Sequence, residues 1–138
     1  MEDKTAEKKI YSSGYAGTIP GVHKEINEDF VIFFEKEPEG TVGASNLYVL
    51  TDGVTGTFHP EITARFAGKK ILYEYFKSAD FIDANKLALA MRNANNEIYA
   101  YAELKQEKMA TVALATAITD GNAAIGTIGD SRGDAVRY

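Results

Sequence analysis

Four acidic side chains stand where apolar runs meet glycine-rich or polar segments. Asp52 closes the run Leu47-Tyr48-Val49-Leu50-Thr51 and is followed by Gly53. Asp130 follows a second apolar run, over 123–128, with Gly129 between and Ser131-Arg132 after it. Glu28 and Asp29 immediately precede a third, Phe30-Val31-Ile32-Phe33-Phe34. A carboxylate at the end of a buried strand is fixed by the backbone yet reaches water. If the sheet gathers these ends, several negative charges converge, which is costly without a cation. Hard divalent cations, Mg²⁺ or Mn²⁺, suit an all-oxygen site that retains several waters. Taken singly, each Asp-Gly or Gly-Asp pair serves equally well as a plain turn. Recurrence at the ends of apolar strands favours a shared site.

These residues need elements to hold them. The stretch 10–19 reads as a strand ended by Pro20-Gly21. The run 30–34 reads as a short strand buried on both faces, and 47–51 as another. Pro60 suits the first turn of a helix running to about residue 76, with His59 or Thr57 as its cap and Glu61 at the positive dipole end. Ile62, Phe66, Tyr73 and Phe76 are expected to face the core. A second helix is expected over 83–106, because Leu87, Met91, Ala94, Ile98 and Tyr101 recur on one face. Residues 111–119 and 123–128 form strands joined by the tight-turn pair Asp120-Gly121. A last strand is expected near Ala135. Strands, then two helices, then strands indicate an α+β fold with mainly antiparallel sheet.

The 138 residues suit one domain, with 1–9 a polar tail and 10–138 the folded part. Fifteen Lys+Arg against twenty Asp+Glu give a formal charge of −5, which disfavours a phosphate-gripping nucleic-acid surface. The absence of cysteine excludes disulfides, thiolate zinc ligands and thiol catalysis. No run is long enough for a membrane span, and no apolar leader follows the charged start, so a cytoplasmic address is expected. His23 and His59 read as loop or helix-end residues. Arg132-Gly133-Asp134 reads as a chance tripeptide in a turn.

Asn27-Glu28-Asp29, then Tyr48 to Gly53 with Gly56 and Glu61, then Met109-Ala110-Thr111, then Gly129-Asp130-Ser131-Arg132 resemble the motifs of metal-dependent protein phosphatases of type 2C. They stand in that family's order at about its spacing. The resemblance implies a sandwich of two antiparallel sheets flanked by helices, and hydrolysis of phosphoserine or phosphothreonine in a protein substrate. It further implies Asp52 and the Gly53 carbonyl as ligands of Mn²⁺ or Mg²⁺, Asp130 as ligand of a weaker metal, and Glu28 and Asp29 as residues holding metal-bound water. A metal-activated water would attack phosphorus, with no protein nucleophile.

Lys24 stands where the family carries a phosphate-binding arginine, and a lysine lacks the bidentate fork. Val54-Thr55-Gly56-Thr57 replaces the usual glycine-rich stretch and has no histidine at the family's position. Further aspartate ligands of the family lie beyond residue 138, so this stretch is expected to correspond to an N-terminal portion. Low activity alone is expected, and self-association through unpaired strand edges. A catalytically inactive, phosphatase-like module that binds a partner protein is the alternative; a sensor or scaffold domain is a third.

Overall fold

The structure is a computed structural model that describes residues 14–35, 46–80 and 82–136. Its elements in order are β1 (Asp29–Phe34), β2 (Asn46–Gly53), α1 (Pro60–Lys77), α2 (Asp83–Lys105), β3 (Thr111–Thr119) and β4 (Asn122–Ile128). The four strands make one antiparallel sheet in the order β1-β2-β3-β4. The fold is therefore α+β, as the element order predicts. Among the described residues there is one sheet. The tail 1–9, and the expected strand over 10–13, lie outside those residues.

Strand alternation sorts the sheet into two faces. Leu47, Val49 and Thr51 of β2 and Ala113, Ala115 and Ala117 of β3 point to the helices and are buried. With Ile71 and Tyr75 of α1 and Leu87, Ala90, Met91 and Ala94 of α2, they form the core. The small residues of β3 let the helices approach closely. The other face carries Val31, Phe33, Tyr48, Leu50, Leu114, Thr116, Ile118 and Ile125, and among the described residues no helix covers it. Two irregular segments rest on that face. Gly14 lies against the Tyr48 ring, and Gly133 against Leu114 and Ile125.

Several local expectations are corrected. Residues 14–19 are irregular and do not pair into the sheet, and no strand occurs over 131–136. β1 is an edge strand with Phe33 and Phe34 partly exposed, so it is not buried on both faces. On α1, Ile62, Phe66, Tyr73 and Phe76 point outward, Ile62 at 54% and Tyr73 at 58% exposure. The face against the sheet instead uses Thr63, Ala64, Ala67, Gly68, Ile71 and Tyr75. Close packing there selects small side chains; a Cβ on Gly68 would stand 2.7 Å from the Phe30 ring. On α2 the periodic face holds from Leu87 to Ile98, but Tyr101 is 46% exposed near the helix end.

Neither proposed cap closes α1. His59 occupies the N-cap position in a left-handed conformation (φ 45°) and makes no side-chain cap bond. Its Nδ1 lies 3.4 Å from Glu61 Oε1, and Thr57 Oγ1 donates to the Val54 carbonyl at 2.7 Å. The Asp120-Gly121 pair does form the expected turn, with φ of 49° and 79°. The two helices are tied together by Lys70 bridging Glu74 at 2.9 Å and Glu97 at 3.1 Å, and by Asn93 donating to Glu74 at 2.8 Å. At the connection, Tyr75 Oη donates to Asp83 Oδ1 at 2.6 Å.

Candidate functional site

β1 and β2 pair in a register that sets Asp29 directly opposite Asp52. Directly paired residues project from the same face, with Cβ atoms about 4.5–5.5 Å apart. Both carboxyls therefore stand together at the end of the open face, and Asp29 comes within hydrogen-bonding reach of Asp52. Partial burial of Asp52 comes first, and the neighbouring Asp29 second, in raising its carboxyl above the ordinary value of 3.8. Asp130 raises it further, whereas Lys24 pulls it down. Two like charges side by side hold a proton more tightly than one carboxyl in solution.

Asp130 reaches this end from the far side of β3. Val112 lies opposite Asp52, and Ala113 opposite Ile128, the last residue of β4. The chain then turns at Gly129, with φ 98°. A Cβ there would fall 2.2 Å from Val112 Cγ1, so only glycine allows the turn to sit this close to β3. The Arg132 guanidinium pairs at 2.9 Å with Asp134, an exposed local contact within the tripeptide turn.

Gly53 has a packing reason of its own. A Cβ at this position would stand 2.3 Å from the Pro60 carbonyl oxygen and 2.5 Å from its carbon. The bare glycine lets the first turn of α1 abut the end of β2, immediately beside Asp52. Thr111 Oγ1 donates to the Asp52 carbonyl at 2.8 Å, and Gly53 N–H to the Glu28 carbonyl at 3.0 Å. Thr51, fully buried, donates to the Ala64 carbonyl at 2.7 Å and fastens β2 to α1 one residue before the site.

Two polar residues hold Asp29. Thr18 Oγ1 donates to Asp29 Oδ2 at 3.2 Å, Asn27 Nδ2 donates to Thr18 Oγ1 at 3.1 Å, and Asp29 N–H donates to Asn27 Oδ1 at 3.0 Å. Glu28 points elsewhere. Its Oε2 accepts from Thr55 Oγ1 at 2.6 Å and pairs with Lys24 Nζ, which also donates to Thr55 Oγ1 at 2.9 Å. The bond to Lys24, followed by that to Thr55, holds the Glu28 carboxyl below its ordinary value. The Lys24 ammonium is raised, first by Glu28 and more weakly by Asp52 and Asp29.

All six predicted positions, Lys24, Glu28, Asp29, Asp52, Gly53 and Asp130, thus gather at one end of the sheet. Glu28 is engaged with Lys24 and Thr55 rather than turned to the aspartates. Among the described residues, no three Asp, Glu or His side chains are grouped closely enough to hold a metal ion by themselves. A cation here would draw on the Asp29–Asp52 pair, strand-end carbonyls and water, all hard oxygen donors, a set that fits Mg²⁺ or Mn²⁺ weakly. His23 and His59 are exposed and take no part in the cluster. The sequence reading assigned no role to Thr18, Asn27, Thr55 or Thr111. Asn27, two residues before Asp29, was accessible as an Asx-turn; the three threonines carry no local signature.

Comparison with protein-family models, with curated proteins and with solved structures finds no match to this chain.

Proposed function

We propose that this chain carries the acidic half of a cation-dependent phosphoester hydrolase site of the type 2C protein phosphatase kind, acting on phosphoserine or phosphothreonine in proteins. The observation that carries the reading is the Asp29–Asp52 pair, with the Asp52 carboxyl raised and Asp130 adding its charge from across β3. Like charges directly opposite on paired strands oppose folding, and a bound cation would relieve that repulsion. Mn²⁺ or Mg²⁺ bound there would supply an activated water and neutralise charge on a phosphoryl group.

The chain's own residues do the rest. Asp52 and Asp29 offer the carboxylates, Gly53 brings the strand end and its carbonyl beside them, and Thr18 and Asn27 orient Asp29. Lys24, which pairs with Glu28 and Thr55 at this end, would be the cationic side chain for a phosphate oxygen. The one-sided sheet also supports the sandwich reading: an apolar face with no helix on it is what a second sheet would cover. With two carboxylates in reach, cation affinity is low and turnover by this chain alone is slow.

Titration with Mn²⁺ by calorimetry, and an assay with a phosphorylated small substrate, on the chain and its Asp52→Asn variant, test the reading. Cation-dependent turnover lost in the variant supports it. Cation binding without turnover, lost in the variant, supports an incomplete site. No binding and no turnover favour the second reading, a phosphatase-like module that binds a partner protein, to which the apolar open face lends support.

A further inference from the structure

β4 ends the sheet on the side away from β1. The turn Asp120-Gly121 joins Thr119 to Asn122, and in a hairpin this tight the flanking pair exchanges both backbone bonds. Following the alternation along β4, Asn122, Ala124, Gly126 and Ile128 bond to β3, while Ala123, Ile125 and Thr127 turn their N–H and C=O groups outward. Among the described residues no backbone group takes up these outward groups. β4 also holds no charged residue and no proline, the features that usually keep a second strand away.

α2 overhangs this edge. A Cβ on Gly126 would stand 2.8 Å from Met91 Sδ, so the glycine lets the helix lie close against the strand. Beyond that contact Ala84, Ala88, Arg92 and Asn95 run along one flank of α2, and with Ile128 they line a groove of about 540 Å³. The two alanines leave the room. Arg92 is the one charged residue lining the groove; it is exposed, and among the described residues no carboxylate pairs with it.

We propose that the β4 edge and the α2 flank form a docking site for an extended, acidic segment of a partner protein. The segment adds to the sheet beside β4, lays apolar side chains on Ile128 and the alanines, and pairs a carboxylate with Arg92. The outward amides call for a strand rather than a helix, and the guanidinium calls for an acidic one. A second copy fits less well, because β4 paired antiparallel with itself about Ile125 would set Asp120 against Asp130 at both ends. The site needs no cation and does not depend on the acidic cluster.

The test uses the full chain and two short fluorescein-labelled peptides that alternate valine with threonine, one central valine being replaced by glutamate or by lysine. In fluorescence anisotropy the glutamate peptide is expected to bind, and the lysine peptide to bind about threefold more weakly. Arg92→Glu should reverse that preference. Ala88→Gln fills the groove, and Ile125→Pro removes an outward N–H, a change an edge strand tolerates; each should weaken binding about fivefold or more. Binding should slow amide exchange at Ile125 and Thr127 by NMR and leave Gly126, already bonded to β3, little changed. Failure of both peptides to bind would overturn the proposal, as would binding that neither Ala88→Gln nor Ile125→Pro diminishes. A concentration-dependent rise in mass abolished by Ile125→Pro, with neither peptide bound, would give the edge to a second copy and overturn it equally.

Discussion

Replacing Asp52 by Asn in cation-free solution is expected to make the protein more stable at neutral pH. The two carboxylates face each other across β1 and β2, both at the exposed end of the strands. At about 5 Å in a water-like dielectric their repulsion is about 0.8 kcal/mol, reduced to about 0.5 kcal/mol by 0.1 M salt. The burial cost of Asp52 adds to this, and attraction to Lys24 subtracts from it. The net gain is about 0.5–1 kcal/mol, or about 2–4 °C in melting temperature for a chain of this size. The sign with pH follows from the raised carboxyl. Folded Asp52 keeps its proton where the unfolded chain, near 3.8, has lost it. Its contribution to stability therefore falls as pH rises from the unfolded value through the folded one, and stays low above it. Calorimetric melts of parent and variant in EDTA should then coincide at pH 3 and separate by pH 7. A variant no more stable than the parent at pH 7, or equally advantaged at both pH values, would refute the opposed-carboxylate account.

Gly53→Ala drives a methyl group into the Pro60 carbonyl and should cost about 1–3 kcal/mol in urea unfolding; a loss under 0.5 kcal/mol would mean that α1 shifts freely. Thr51→Val keeps the shape but loses the buried bond to the Ala64 carbonyl, and a loss of about 1 kcal/mol is expected by the same measurement. The apolar open face, with β1 and β4 as edge strands among the described residues, should make the weight-average mass in analytical ultracentrifugation rise with concentration. Ile125→Lys should suppress that rise, and a monodisperse parent at high concentration would count against it.

The strand and helix pattern was legible because long periodic runs and turn pairs announce themselves locally. Residues 111–119 and the Asp120-Gly121 turn coincide with β3 and its hairpin. The inward face of α1 is not legible from its large apolar residues. The sheet approaches α1 so closely that Ala64, Ala67 and Gly68 face it, and Ile62, Phe66 and Tyr73 are left outside. The double burial expected of β1 failed for a topological reason: no sequence signal in 30–34 says that a strand lies at the edge. The acidic positions were legible one by one as strand ends. Their pairing was not, since Asp29 opposite Asp52 is a matter of register across the segment that joins β1 to β2. The helpers Thr18, Thr55 and Thr111 act on partners 11, 27 and 59 residues away, beyond any local pattern.

The central pairing of β2 with β3 encloses the whole α1–α2 hairpin, from Gly53 against Thr111 outward to Asn46 against Ile118. Closing so long a loop costs entropy before the first central rung is won, whereas the helical hairpin and the β3–β4 hairpin join near neighbours. The order of assembly follows. The two hairpins can collapse early, and the β2–β3 junction must await them, docking onto the alanines of β3 once Leu87 and Met91 are in place. The Asp29–Asp52 pair belongs to the β1–β2 pairing of consecutive strands, whereas Thr111 and the turn that carries Asp130 meet it only when the central rungs close.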